Sequence, residues 1–129
     1  AADNTVDTPF TFGTQGETVV IDNEGNLDTP LLIEFKGPGL RHRMVNSDTG
    51  EKVELVLPLK TNESVFVNTK PQAIEAYRMV DGKKVTAFNY LNPASQYFCL
   101  APGENNIQFS AAYGDAAASA IYTERFVGV

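Results

Sequence analysis

Few residues of this chain carry the chemistry that enzymes and metal sites need. The 129 residues include one cysteine, one histidine and no tryptophan. A disulfide within the chain is therefore excluded, and Cys99 with His42 falls short of the roughly three or four Cys or His ligands of a zinc site. Neither residue stands in a nucleophile motif, and the apolar run around Cys99 holds nothing that would lower the pKa of its thiol. We predict no catalytic residues, no metal and no cofactor, and a buried structural role for Cys99.

Acidic residues are present, but not in the spacing that a site requires. The turn Asp22–Asn26 has the composition of half a calcium loop, without the full loop length or the final bidentate glutamate. A glycosidase-like carboxylate pair would have to come from glutamates in strand-like segments, namely Glu34, Glu54, Glu63 and Glu75. We expect these side chains on outward faces, where charge keeps the protein soluble and prevents edge-to-edge pairing of strands. The chain is accordingly not expected to be an enzyme.

Positive charge is also scarce. The chain has 10 Lys and Arg against 16 Asp and Glu, a net charge of −6 and a pI near 4.6. An acidic domain repels the phosphate backbone, so nucleic acid is not an expected partner. A membrane is not expected either, because no apolar run approaches the roughly 20 residues that span a bilayer and the first residues lack the pattern of a signal peptide. Since the chain does not begin with Met, we expect it to be processed or to belong to something longer.

Turn residues and short apolar runs make up most of the chain. The 10 Gly and 7 Pro fall in turn-forming segments at short intervals, among which Asp81-Gly82 is the strongest hairpin signal. Between the turns, apolar and polar residues alternate, as in strands with one face in a core. Strands are predicted near residues 17–22, 30–36, 40–46, 52–58, 63–68, 72–80, 83–91, 95–100, 105–112 and 118–127.

This pattern predicts an all-β chain folded as an antiparallel β-sandwich. The length fits one domain with its own core. Residues 1–14 have few apolar positions and are expected to form a linker or extended lead-in, with a single β-sandwich domain over residues 15–129. Ala116–Ala120 is too short for a stable helix, and we expect a loop there that leads into the last strand.

Tyrosines and one basic cluster are the remaining candidates for binding. Sandwich lectins and carbohydrate-binding modules stack sugars on exposed aromatic rings, a role open to Tyr77, Tyr90 and Tyr113, although tyrosine in a sandwich is more often half in the core. Arg41 and Arg43 form a small basic spot, either a solvated strand face or half of an electrostatic contact with an acidic partner. These residues are our candidate sugar or partner contacts.

Several blocks follow one another in an order that resembles a known family. The blocks are Asp7–Gly13, Thr18–Asn26, Thr29–Gly37, Met44–Glu51, Glu63–Thr69, Tyr97–Ile107 and Ile121–Val129. In turn they are similar to an Asp-Pro lead-in, a strand with an Asn-x-Gly turn, a Pro-led strand ending in Gly, a Thr-Gly-Glu hairpin, an Ile-Asp-Thr strand, a Pro-Gly-x-Asn block and a final strand. This series resembles the C-terminal domain of siphophage distal tail proteins.

The resemblance implies a galectin-like or carbohydrate-binding-module-like jelly roll in the tail tip, or baseplate hub, of a phage or prophage. It implies no catalytic residues, and it implies that this outer domain docks receptor-binding or other tail proteins. The family's hexameric ring is formed by an N-terminal domain, so we expect no hexamer from this chain alone. The implied location is the tail tip of the virion, after synthesis in the host cytoplasm. The alternative function is a carbohydrate-binding module that contacts host cell-surface glycans.

Overall fold

A computed structural model describes the backbone of residues 4–12, 18–112 and 116–126, and the side chains of residues 18–112 and 116–121. These residues form ten strands and one short 3-10 helix, Phe88–Tyr90. The strands are β1 Asn4–Phe12, β2 Thr18–Asn23, β3 Leu31–Lys36, β4 Arg43–Asn46, β5 Lys52–Glu54, β6 Ser64–Asn68, β7 Glu75–Val80, β8 Lys83–Thr86, β9 Gly103–Ser110 and β10 Ala117–Phe126. No helix in this part of the chain is long and apolar enough to span a membrane.

The strands form two antiparallel sheets. The larger sheet has the order β1-β10-β3-β6-β7-β8, and the smaller sheet has the order β2-β9-β4-β5. The two sheets share one core, since the ring of Phe35 in β3 lies 6.4 Å from the ring of Phe109 in β9 and both side chains are fully buried. The predicted all-β antiparallel sandwich is confirmed.

The alternation predicted from the sequence sets which side chains enter that core. In β3, Leu31, Ile33 and Phe35 are buried while the residues between them are only partly covered. β6 and β9 show the same period of two, as expected for strands with one face against the other sheet. Burial of this apolar surface is the main stabilising contribution to the fold.

Most of the segment predicted to be a linker or extended lead-in is a strand. Residues 4–12 form β1, and each of them pairs with a residue of β10, from Asn4 with Phe126 to Phe12 with Ala118. The expectation of a linker is therefore wrong for these residues, because their partner lies more than a hundred residues away and local composition does not reveal it. The boundary of the domain at residue 15 stays a prediction.

The alanine-rich segment is also a strand rather than a loop. β10 begins at Ala117 and lies between β1 and β3, inside the larger sheet. Ala118 and Ala120 face the core and are fully buried, and Ala116 just before the strand is 4% exposed. Pairing on both sides overrides the weak strand preference of alanine, because strand propensity depends mainly on packing.

Several other predicted strands are shorter than expected, and one is absent. The run 52–58 is a strand only as far as Glu54, and Leu57 in the rest of the run is 37% exposed. The run 83–91 ends as a strand at Thr86, before the 3-10 helix. Residues 95–100 form no strand, and among them only Leu100 makes a β-bridge, with Thr29.

A turn at Asn92 explains the loss of regular structure before residue 100. Its side-chain oxygen accepts from the backbone N–H of Ala94, and its amide nitrogen donates to the Glu54 carboxylate at 2.8 Å. The Ser95 hydroxyl in turn accepts from the Glu54 backbone N–H at 3.1 Å. These side-chain hydrogen bonds add to the backbone bonds from Asn92 N–H to the Glu54 carbonyl and from Gln96 N–H to the Lys52 carbonyl, both at 2.8 Å.

Candidate interaction surfaces

The hairpin of β7 and β8 and the residues that flank it carry most of the exposed large apolar side chains. Nine such side chains occur in the described part of the chain, and five of them lie between residues 74 and 88. We define the hairpin surface as Ile74, Tyr77, Met79, Val80, Lys83, Lys84, Val85, Thr86 and Phe88. A cluster of exposed apolar residues on a soluble domain marks an interaction site more often than scattered ones do.

Tyr77, one of the predicted contact residues, lies in the middle of this surface. Its ring stacks on Phe66 of β6, with ring centroids 5.2 Å apart and ring planes 12° apart. From the other side, Nζ of Lys84 in β8 approaches the Tyr77 ring centroid to 4.4 Å. Because β7 lies between β6 and β8, the two neighbours cover the ring from opposite sides. This leaves the ring edge and the hydroxyl group, rather than an open face, for a partner.

A small pocket adjoins Tyr77 on the hairpin surface. It has a volume of about 180 Å³, and its lining includes Ile74, Phe88 and Thr86. Glu75, also in the lining, has its carboxylate 3.9 Å from Nζ of Lys84, in an ion pair with both side chains more than half exposed. An exposed pair of this kind contributes little to stability and is free to exchange for a partner's charge.

Tyr90 has a structural environment. The Arg78 guanidinium lies 5.2 Å from its ring centroid, and the ring packs against the hydrophobic core. Arg78 also donates to the Glu63 carboxylate at 3.0 Å, so the cation bridges β7 and the turn before β6. Tyr90 thus fits the half-buried role common for tyrosine in sandwiches.

Arg41 and Arg43 line a pocket of about 220 Å³ together with Glu54 and Ser110. Arg43 faces outward from β4 in the smaller sheet, and its Nε donates to the Ser110 hydroxyl at 3.4 Å. Tyr77 faces outward from the larger sheet, so the structure does not bring the predicted tyrosine and arginine contacts into one site. Tyr113, the remaining candidate, lies outside the described residues.

The two candidate catalytic groups occupy unrelated environments. His42 is fully buried in the core, with its ring 6.0 Å from those of Phe35 and Phe109. Cys99, predicted to be buried, is half-buried, and its thiol lies 3.9 Å from the Thr69 carbonyl oxygen. Burial, aided by the negative charge of Asp28, raises the pKa of Cys99, which disfavours the nucleophilic thiolate.

The four glutamates considered for a carboxylate pair each have a different polar partner. Glu34 lies near Lys36, Glu63 pairs with Arg78, Glu75 with Lys84, and Glu54 accepts from Asn92. Across the described residues, no group of three or more His, Cys, Asp or Glu side chains is arranged to hold a metal ion.

An acidic pocket of about 520 Å³ lies at one end of the sandwich and was not predicted. Its lining includes Asp28, Asp48, Glu51 and Glu104, together with the Tyr97 ring. The side-chain amide and backbone N–H of Asn106 hydrogen-bond the Asp48 carboxylate and lower its pKa, which keeps it charged. The lining residues come from distant segments of the chain, so no local sequence motif predicts the pocket.

Comparison with known proteins agrees with the fold. The family model for the siphovirus-type tail component, C-terminal domain, matches residues 24–126. A similar solved structure is the crystal structure of SPP1 Dit (gp 19.1), described as a paradigm of the hub adsorption apparatus in Gram-positive infecting phages. The TM-score is 0.64 at 15% identity, over 98% of this chain and 47% of that chain. No curated protein matches the chain.

This chain and the structural neighbour share a galectin-like β-sandwich. At 15% identity, the similarity supports the fold alone. This chain spans about half of that neighbour's length. The family match, in contrast, covers most of the chain and confirms the resemblance seen in the ordered sequence blocks. The chain therefore belongs to the siphovirus-type tail components, as their C-terminal domain, and is a part of a phage tail.

Proposed function

We propose that this domain is the outer domain of a distal tail hub and docks receptor-binding or other peripheral proteins at the tail tip. The observation that carries the proposal is the family match over residues 24–126. The hairpin surface supports it, because exposed apolar side chains on a rigid sheet suit a protein contact. In the whole protein, a separate N-terminal domain forms the hexameric ring and this domain projects from it.

The domain works by binding rather than by catalysis. Among the described residues, the histidine is in the core, the thiol has a raised pKa and the glutamates have separate polar partners. A docking module needs none of these groups for chemistry. What it needs is a rigid surface whose binding energy is concentrated in a few residues.

Removal of the domain from the virion tests the proposal. A phage whose hub gene lacks this domain should still assemble tail tubes, and mass spectrometry of purified tails should show the loss of at least one peripheral tail protein. Complementation with the full-length hub should restore that protein. A complete set of tail proteins in the truncated virion would contradict the docking role.

The acidic pocket favours one further candidate, the carbohydrate-binding alternative. Tyr97 lies beside several carboxylates in an open space of about 520 Å³, and such groups bind sugar hydroxyls. This candidate shifts the sugar contact away from Tyr77, Tyr90 and Tyr113. A glycan array and a cell-wall pull-down with the purified protein test it, and a Tyr97→Ala variant should lose any glycan signal that the pocket produces.

A further inference from the structure

We propose that a partner tail protein adds an extended acidic segment to β8, as one more strand of the larger sheet, and places an apolar side chain in the pocket between Ile74 and Phe88. This inference rests on the proposed docking function and specifies where the partner binds and what chemistry it presents. Addition of a strand to an exposed sheet edge is a general mode of peptide recognition, in which backbone hydrogen bonds give affinity and a side-chain pocket gives specificity.

The backbone of β8 is oriented for such an addition. β8 is the last strand of its sheet, and the described residues place no strand beyond it. The Ala87 N–H donates to the Ala76 carbonyl at 2.8 Å, so this pair is hydrogen-bonded across β7 and β8. Hydrogen-bonded and non-hydrogen-bonded pairs alternate in an antiparallel ladder. The backbone groups of Thr86, and two residues earlier those of Lys84, therefore point away from β7.

Side chains on both faces of the hairpin favour an apolar partner residue. Met79 is 49% exposed, and Val80 and Val85 are also exposed. The pocket on the Tyr77 face of the hairpin is lined in part by Ile74 and Phe88, which expose apolar surface near Thr86 of β8. An added strand would cover this apolar surface and would also form hydrogen bonds with the outward backbone groups of β8.

Charge selects an acidic partner over a second copy of this chain. β8 carries the adjacent cations Lys83 and Lys84 on a domain with a net charge of −6. Two copies paired through β8 would bring these lysines together, and like charges opposite each other destabilise a strand pair. Edge lysines also suppress non-specific pairing of strands. An acidic extended segment avoids this repulsion, because its carboxylates neutralise the lysines while its backbone pairs with β8.

Backbone exchange gives a direct test on the intact protein. Amide hydrogen exchange of β8 should be compared between the full-length hub free in solution and the same hub in purified phage tails. We expect the Lys84 and Thr86 amides to exchange at least about tenfold more slowly in tails. Equal exchange in the two states would overturn the inference.

A proline variant separates strand addition from a side-chain contact. Thr86→Pro removes an N–H that points away from β7, a change that edge strands tolerate, whereas Thr86→Val alters the side chain and keeps the N–H. Each variant is tested by biolayer interferometry against every other tail protein encoded in the same genome, after a thermal melt has checked its folding. We expect about tenfold or greater loss of affinity for Thr86→Pro and little change for Thr86→Val. Equal affinities in the two variants would overturn strand addition.

A charge-reversal pair keeps the inference testable if the proline variant fails to fold. The double change Lys83→Glu and Lys84→Glu should weaken partner binding and reduce its salt dependence, while the matched change Lys60→Glu and Lys70→Glu, at exposed positions elsewhere, should not. Equal effects of the two pairs would overturn the acidic-partner inference. A wild-type hub that binds none of the tail proteins would instead contradict the docking function itself, so the two failures are distinguishable.

Discussion

Nε2 of His42 donates a hydrogen bond to the backbone carbonyl oxygen of Lys36 at a distance of 2.7 Å. The carbonyl can only accept, so the proton of the neutral ring is on Nε2 and Nδ1 has none. Nδ1 is buried and has no hydrogen-bond partner among the described residues. A second proton on the ring would create a buried charge and an unsatisfied donor, and burial accordingly lowers the pKa of His42.

The first prediction is that folding stability falls as the pH drops below about 6.5, the ordinary pKa of histidine. Below that pH, His42 binds a proton in the unfolded chain more readily than in the folded chain, so protonation favours unfolding. Above that pH, the His42 ring is neutral in both states, and its full contribution to stability is present. Urea melts at pH 7.5, 6.5 and 5.5 measure this effect. His42→Gln should be less stable at pH 7.5 but should vary less over the same range. Equal pH dependence in the two proteins would contradict the assignment to His42.

The sequence predicted the core better than the edges of the sheets. Alternation of apolar and polar residues identified Leu31, Ile33 and Phe35 of β3 as buried, because one face of that strand lies in the core. It missed β1, whose pairing with β10 is a long-range contact, and it could not show the stacking of Tyr77 on Phe66, which depends on the register of two strands.

The interaction surfaces were even less accessible to prediction. The hairpin was evident from Asp81-Gly82, but its exposure follows from the position of β8 at the end of the larger sheet. The acidic pocket forms from segments that are distant along the chain. Arg43 and Tyr77 are separate in the structure because β4 and β7 belong to different sheets of the sandwich, an assignment that a strand pattern alone does not make.

The second prediction concerns Gly37, where the chain passes close to a neighbouring loop. A Cβ built on Gly37 would collide with the backbone carbonyl oxygen of Lys60 and would lie 2.8 Å from Cβ of Leu59. Gly37→Ala should therefore destabilise the fold by about 2–4 kcal/mol, since backbone must move. Gly50→Ala is the control: its φ is +80° with open space around it, and strain alone should cost about 1 kcal/mol. Chemical denaturation compares them, and a smaller cost at Gly37 would contradict the crowding argument.

The third prediction uses neighbouring positions of β10 that face opposite ways. Ala120 is fully buried in the core, while Ser119 beside it is only partly covered. Ala120→Leu should destabilise the protein by about 1–3 kcal/mol because the core has no room for three more carbons. Ser119→Leu places the same side chain on the outward face and should change stability by under about 1 kcal/mol. Similar thermal shifts for both variants would show that the strand register is wrong.

The fourth prediction is slow modification of Cys99 in the folded protein. Burial is the main cause of its raised pKa, and the negative charges of Asp28 and Glu51 add to it, so little thiolate forms at neutral pH. A disulfide reagent at pH 8 should react more slowly with wild type than with a Cys99→Ala variant that carries Thr61→Cys at an exposed position. Denaturant should remove the difference. Equal rates in the folded proteins would contradict the raised pKa.

The fifth prediction concerns Asn105, which holds the turn before β9 together. Its side-chain oxygen accepts from the Ala101 N–H at 3.0 Å, while its amide nitrogen donates to the carbonyls of Ala101 at 2.8 Å and Gly103 at 3.0 Å. The side chain is only 2% exposed, so water cannot replace these bonds. Asn105→Ala should cost about 2–3 kcal/mol through buried groups left without partners, whereas Asn106→Ala, at a partly exposed neighbour, should cost under about 1 kcal/mol.

Asn105→Asp separates hydrogen bonding from side-chain volume at this turn. A carboxylate has nearly the same shape but cannot donate to the two carbonyl oxygens, and it places negative charge against them, so this variant should be less stable than Asn105→Ala at pH 7. The protonated acid can donate again. Because folding then favours the protonated form, the folded-state pKa is raised, and stability should be lost as the pH rises. Urea melts at pH 4.5 and 7 should show the Asp variant closing the gap to the Ala variant at the lower pH. A constant gap would mean that the donated hydrogen bonds do not hold the turn.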